Sequence, residues 1–144
     1  MITDPTNVPA GDRRPVLVLL APPRPTTVPA VLLGAARILQ AQGLWQGDYV
    51  PDTFNRTMTT PHASRPMSIV AAIRCAATGD PHRCSQLADT AVGYVALSIG
   101  DGPYRSDLLT LERHVDGWGD ELGRSTDEAM ALLEQLATTS ERAA

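Results

Sequence analysis

Gly43, Gly79, Gly100 and Gly117 each follow a run of aliphatic residues, and together they cut most of the chain into helix-length pieces. Glycine takes the positive φ that ends a helix without steric penalty, so this punctuation favours a set of short helices. Leu32, Ala35, Ala36 and Leu39 fall at i, i+3, i+4 and i+7, which places them on one helical face. Thr27 followed by Pro29 supplies the matching start, so a first helix is expected from Thr27 to Gly43. A second is expected from Ser64–Pro66 to Thr78. Met67, Val70, Ala71 and Arg74 form one of its stripes, and Ile69, Ile73 and Ala76 form another, so this helix should be central.

Asp80-Pro81 reads as the N-cap and first residue of a third helix, whose inner stripe is Cys84, Leu87, Ala88, Ala91, Val95 and Ile99. After the turn at Gly100–Pro103, a fourth helix is expected over Pro103–Asp116, with Tyr104, Leu108, Leu111 and Val115 inward and Gly117 as its stop. Ser125-Thr126-Asp127-Glu128 is a capping box. It opens a fifth helix, with Ala129, Leu132, Leu133 and Leu136 buried and the chain fraying from Thr138. The expected fold class is therefore all-α. A compact bundle of four to five helices spans residues 27–137, with an extended Pro-rich arm over 1–26 and a frayed tail over 138–144.

Ten of the 12 prolines fall within residues 1–66. In the arm, Val16–Leu20 reads either as one short strand or as an extended segment lying on helices. Aromatic residues make up only 4% of the 144, so Ala, Leu, Val and Ile must build the core. Net charge is −4, but unevenly spread: residues 101–144 hold 4 Arg against 10 acids. That acidic part disfavours contact with phosphate backbones, and no helix reads as a basic recognition helix, so nucleic acid is an unfavoured partner. All 12 basic residues are Arg, which removes lysine nucleophile and Schiff-base chemistry. Two cysteines, Cys75 and Cys84, do not make a disulfide framework. No segment approaches the roughly 20 apolar residues of a membrane span. The apolar run after Arg13-Arg14 is too short for a signal peptide and ends in Pro22-Pro23. A cytoplasmic protein without a membrane partner is expected.

Three stretches resemble a known family. They are Gly43-Leu44-Trp45-Gln46-Gly47-Asp48-Tyr49, Ile69-Val70-Ala71-Ala72-Ile73-Arg74 and Trp118-Gly119-Asp120-Glu121-Leu122-Gly123-Arg124-Ser125, the last leading into an Ala/Leu helix. Over about residues 28–137 the chain resembles the domain of unknown function 6197, a helical family of high-GC bacteria and their phages. Members read Trp-Asn-Asp where this chain has Trp118-Gly119-Asp120, and tend to carry Cys where it has Ser68. The resemblance implies a helical fold and carries no activity with it.

The long connection 44–64 holds Trp45, Asp48, Tyr49, Asp52, Phe54, Asn55 and His62, and connections of that length are often functional. Trp45 and Trp118 each stand just beyond a helix-ending glycine. Either both rings seal an end of the bundle, or they wall a ligand pocket whose polar groups are Asp48, Tyr49, His114 and Asp120. His114, Asp116 and Asp120 cluster around Trp118 in sequence, yet no spacing dictates acid–base catalysis. Cys75, His82 and Cys84, with His62, match no usual zinc pattern, so neither metal nor cofactor is expected. The functional expectation is a non-enzymatic interaction or regulatory module. It would bind a protein partner or a second copy of itself, as a homodimer held through the arm. The alternative is a small-molecule pocket, or a small enzyme of accessory metabolism, built around residues 44–64 and Trp118.

Overall fold

The computed structural model describes residues 23–143, so Val16–Leu20 and most of the expected arm lie outside the described residues. Five helices order the described residues: α1 (Val28–Gln42), α2 (Ile69–Thr78), α3 (Gln86–Ser98), α4 (Leu108–Gly119) and α5 (Thr126–Ala143). A single 3₁₀ turn, His62–Ser64, precedes α2. The expected all-α bundle is what forms. Among the described residues there is no strand, only one parallel bridge between Leu44 and Met67.

Local capping explains most of the helix ends. The Thr27 hydroxyl accepts from the Ala30 amide, and Val31, Leu32, Ala35, Ala36 and Leu39 of α1 are buried. Gly43 ends α1 at φ 95°, a conformation a side chain would oppose. At α5 the capping box forms both of its bonds: the Ser125 amide donates to Glu128 Oε1 at 2.9 Å, and the Glu128 amide to Ser125 Oγ at 3.1 Å. α1 packs most extensively on α5 and next on α2, while α3 packs mainly on α4. α2 is the central element, with every residue from Ile69 to Ala76 buried, Arg74 included.

Five boundaries differ from the sequence expectation. α2 begins at Ile69 with Ser68 as its cap, because Met67 lies alongside Gly43–Trp45 and exchanges backbone hydrogen bonds with both. Asp80-Pro81 does not start a helix. The Asp80 carboxylate accepts from the His82 amide in a local turn, and α3 starts only after Ser85, whose hydroxyl accepts from the Ala88 amide. Cys84 thus lies outside α3 and is exposed. α4 is capped by Asp107, which leaves Tyr104 94% exposed in the preceding turn. Gly117 does not stop α4, which passes through it to Gly119, and the positive φ falls later, at Gly123. Trp118 is therefore a helical residue, not one packed back from beyond a helix end. α5 also continues past Thr138 to Ala143.

The connection 44–64 is folded around one cation. Arg65 is only 1% exposed. Its guanidinium donates to the carbonyls of Pro51, Asp52, Met58 and Thr60 and to Asn55 Oδ1. Asp52, held at φ 51°, gathers the amides of Arg56, Thr57 and Met58 onto its carboxylate. Those three bonds draw its pKa down to about 2, with the Met58 amide the strongest contributor. A long segment with a single 3₁₀ turn thus satisfies much of its backbone through two side chains.

Candidate functional site

Three segments converge on a cleft of about 120 Å³ lined by Gly47, Asp48, Tyr49, Ser68, Asp116 and Asp120. Gly47–Tyr49 come from the connection after α1, Ser68 from the cap of α2, and Asp116 and Asp120 from the end of α4. The first of these segments is pinned on both sides. On the α2 side, the Trp45 amide donates to the Met67 carbonyl at 3.0 Å, and the Ser68 amide to the Tyr49 carbonyl at 2.9 Å. On the other side, Gln46 Nε2 donates to the carbonyls of Gly119 and Glu121, the Gly47 amide to Asp120 Oδ1, and the Leu44 amide to the Thr126 hydroxyl. The cleft wall is thus braced by both of its neighbours.

Asp116 forms the floor. Its Oδ1 accepts from the Val70 amide at 3.0 Å, and the Ser68 hydroxyl on the same cleft wall also favours its charged form. The N-terminus of α2 acts in the same direction. Burial outweighs them, with smaller contributions from Asp120 and Glu112, and raises the Asp116 pKa from 3.8 to about 6. A carboxyl group is therefore poised to exchange a proton near neutral pH inside the cleft.

Behind the floor lies a buried charged cluster. Arg74 of α2 and Glu112 of α4 form an ion pair with both side chains nearly inaccessible. The Tyr49 hydroxyl accepts from Arg74 Nη1 at 3.0 Å and donates to Glu112 Oε1 at 3.3 Å, while the Arg74 guanidinium lies 5.3 Å from the Tyr49 ring centre. Burial raises the Tyr49 pKa, so the phenol stays protonated. Burial opposes the Arg74 charge, but the Glu112 carboxylate and the hydrogen bond to the Tyr49 hydroxyl favour it, and the net shift is upward.

Of the residues singled out in the sequence, the structure brings Asp48, Tyr49 and Asp120 together here and places the others elsewhere. Glu112, Asp116 and Asp120 follow one another four apart, on one side of α4 and its cap. His114 and Trp118, also four apart, lie on the opposite side. They line a separate hollow of about 240 Å³ with Ile99, Gly100, Arg113, Gly117 and Glu121. There His114 Nε2 donates to the Ile99 carbonyl at 3.0 Å. Arg124 lies 3.6 Å over the Trp118 ring and also donates to the Trp118 carbonyl. Trp45, 37% exposed, lines a shallow depression shared with Asp48, Pro51, Asp52, Phe54 and Arg56.

Ser68, Asp116 and the Arg74–Glu112 pair are what the sequence reading leaves out of the site. The acidic spacing 112, 116, 120 was the available signal. Among the described residues no three His, Cys, Asp or Glu side chains group to hold a metal ion. No helix among the described residues is long and apolar enough to cross a membrane.

The model of a family of unknown function, DUF6197, matches residues 23–139. Neither a curated protein nor a solved structure matches the chain. The three stretches that carry the family resemblance are the ones that meet at the cleft. Gly43–Tyr49 supplies its wall, Ile69–Arg74 the amide and guanidinium behind its floor, and Trp118–Ser125 the Asp120 rim and the carbonyls that hold Gln46.

Proposed function

The chain belongs to this family, which prescribes no activity, and from that premise we propose that it binds a small cationic molecule in the cleft between Gly47–Tyr49, Ser68 and the end of α4. The observation that carries the reading is Asp116. This carboxyl group is buried in a cleft, titrates near neutrality, and is flanked by the carboxylates of Asp48 and Asp120. The volume corresponds to about four waters, which suits an ammonium or guanidinium head group and not a whole cofactor. Three carboxyl groups and a hydroxyl offer acceptors to such a head, and Asp116 is the group that would exchange a proton with it. An unpaired exposed Cys84 and a buried unpaired Cys75 accord with a reducing, cytoplasmic setting.

Methylammonium and methylguanidinium, titrated against the isotopically labelled chain, test this reading. Saturable amide shifts at Gly47, Tyr49, Ser68 and Asp120, abolished in Asp116→Asn and Asp120→Asn, are expected. The absence of saturation with either cation refutes it.

One observation favours a second reading, that of a protein-interaction module. Leu97, Tyr104 and Leu109, all strongly exposed, lie within the α3–α4 hairpin and its turn. Large exposed apolar side chains close in the chain suit contact with a partner protein or a second copy. Light scattering of Leu97→Ser/Leu109→Ser beside the parent chain tests it, with loss of any self-association expected.

A further inference from the structure

We propose that His62 and His82 form an acid-sensitive latch, which ties the 51–65 connection to the α2–α3 turn while His62 is neutral and releases it when both rings carry a charge. This inference stands apart from any ligand in the cleft.

The neighbouring donors and acceptors fix the protonation of the pair. Arg65 Nη2 donates to Asn55 Oδ1 at 2.7 Å, so that atom is an acceptor. His62 Nε2 lies 2.9 Å from the same oxygen and must carry its proton there. In a neutral His62 ring, Nδ1 is then a bare acceptor. His82 Nε2, 2.8 Å away, supplies the proton between the two rings. His82 can gain a second proton on Nδ1 and keep this bond. His62 cannot: a proton on its Nδ1 would set two N–H groups and two like charges against each other.

The surroundings reinforce the asymmetry. From the connection, Asp52 and the buried Arg65 act on His62, and from the turn, Asp80 and His82 do. The Tyr49 ring stands 5.9 Å from that of His82. Partial desolvation, then Arg65 and His82, lower the His62 pKa against the opposing pull of Asp80 and Asp52. A depressed histidine pKa means that the latch is complete above about pH 6.5 and is lost as pH falls below it. Asp52 does not confuse the effect, because at a pKa of about 2 it stays charged throughout this range. Among the described residues no third metal-binding side chain joins the pair.

Nitrogen-correlated NMR of the histidine rings in the full chain tests the proposal. At pH 7.5 His62 should be the Nε2–H tautomer, with Nδ1 unprotonated. Protection of the Thr57 and Met58 amides against exchange, corrected for intrinsic rates, should fall by up to about tenfold for each pH unit that the His62 pKa is depressed. In His82→Gln the amide still donates to His62 Nδ1 but never charges, so the loss of protection should move to lower pH. A His62 ring protonated on Nδ1 at pH 7.5 overturns the proposal. So does an identical pH dependence in the parent chain and His82→Gln.

Discussion

Asp116 Oδ1 accepts the Val70 backbone amide at 3.0 Å, so a carboxyl group from the last turn of α4 caps the first turn of α2. Two functions compete in this one group. As a cap it should be charged, and as a buried group it should be neutral. Its folded pKa of about 6 lies above the ordinary 3.8, so the folded chain holds this proton more tightly than the unfolded chain. The stabilisation is therefore complete below about pH 3.8 and lost as pH rises through about 6. It amounts to an order of magnitude of 3 kcal/mol. Asp116→Asn keeps an acceptor for Val70 and removes the titration. Urea unfolding between pH 4 and 7.5 should show it at least as stable as the parent at pH 7.5, with a flatter pH slope. Asp116→Ala, which leaves the amide unpaired, should lose about 1–3 kcal/mol at pH 4, where the parent carboxyl is protonated.

The Arg74–Glu112 pair joins α2 to α4 across the core. A buried pair adds little over apolar residues of the same size, but half of one is strongly unfavourable. Glu112→Gln should therefore destabilise the chain by about 3–5 kcal/mol, because the Arg74 charge stays behind in the core. Arg74→Met/Glu112→Leu should be more stable than either single change. A double-mutant cycle by denaturant unfolding measures the coupling, and additive losses would contradict the buried pairing.

Arg65 organises the connection through a planar set of donors, which lysine cannot reproduce. Arg65→Lys should cost about 2–3 kcal/mol by thermal or urea unfolding, since several carbonyls lose a charged donor at once. Circular dichroism of the native helices should be unchanged, because the affected segment holds only one 3₁₀ turn. A variant as stable as the parent would mean that water replaces the guanidinium without loss.

Which parts of this structure could be read from sequence follows from the range of the forces involved. α1 and α5 are legible because their starts are local: Thr27 with Ala30, and Ser125 with Glu128, lie within one turn. The start of α3 is not. Asp80 and Ser85 are both good caps, and the choice is made by Ala88 and Ala91 being buried from α3, a tertiary fact. At the cleft, Asp48, Tyr49 and Asp120 stand out as polar groups in connecting segments. Arg74 and Glu112 are 38 positions apart, and their pairing requires knowing that α2 crosses α4. His114 enters the sequence-based site by proximity to Trp118 and leaves it on helical geometry, since the two face away from Asp116. The connection hid its order for the same reason: Arg65 lies at its end, while the carbonyls that it gathers reach back to Pro51.

Gly117 gives the sharpest test of how context decides a glycine. The sequence marks it as a stop, yet it lies inside α4, and a β-carbon there would meet nothing within 4 Å. Gly43 has equally open space but sits at φ 95°, where a side chain is strained. Alanine should therefore act in opposite directions at the two positions. Gly117→Ala should stabilise the chain by about 0.5–1 kcal/mol, through the lower entropy of its unfolded state and better helix propensity. Gly43→Ala should destabilise it by about 1 kcal/mol or more, the penalty of a left-handed conformation. Parallel thermal denaturation of both variants checks the pair. A loss of stability in Gly117→Ala would show that α4 ends where the sequence alone would end it.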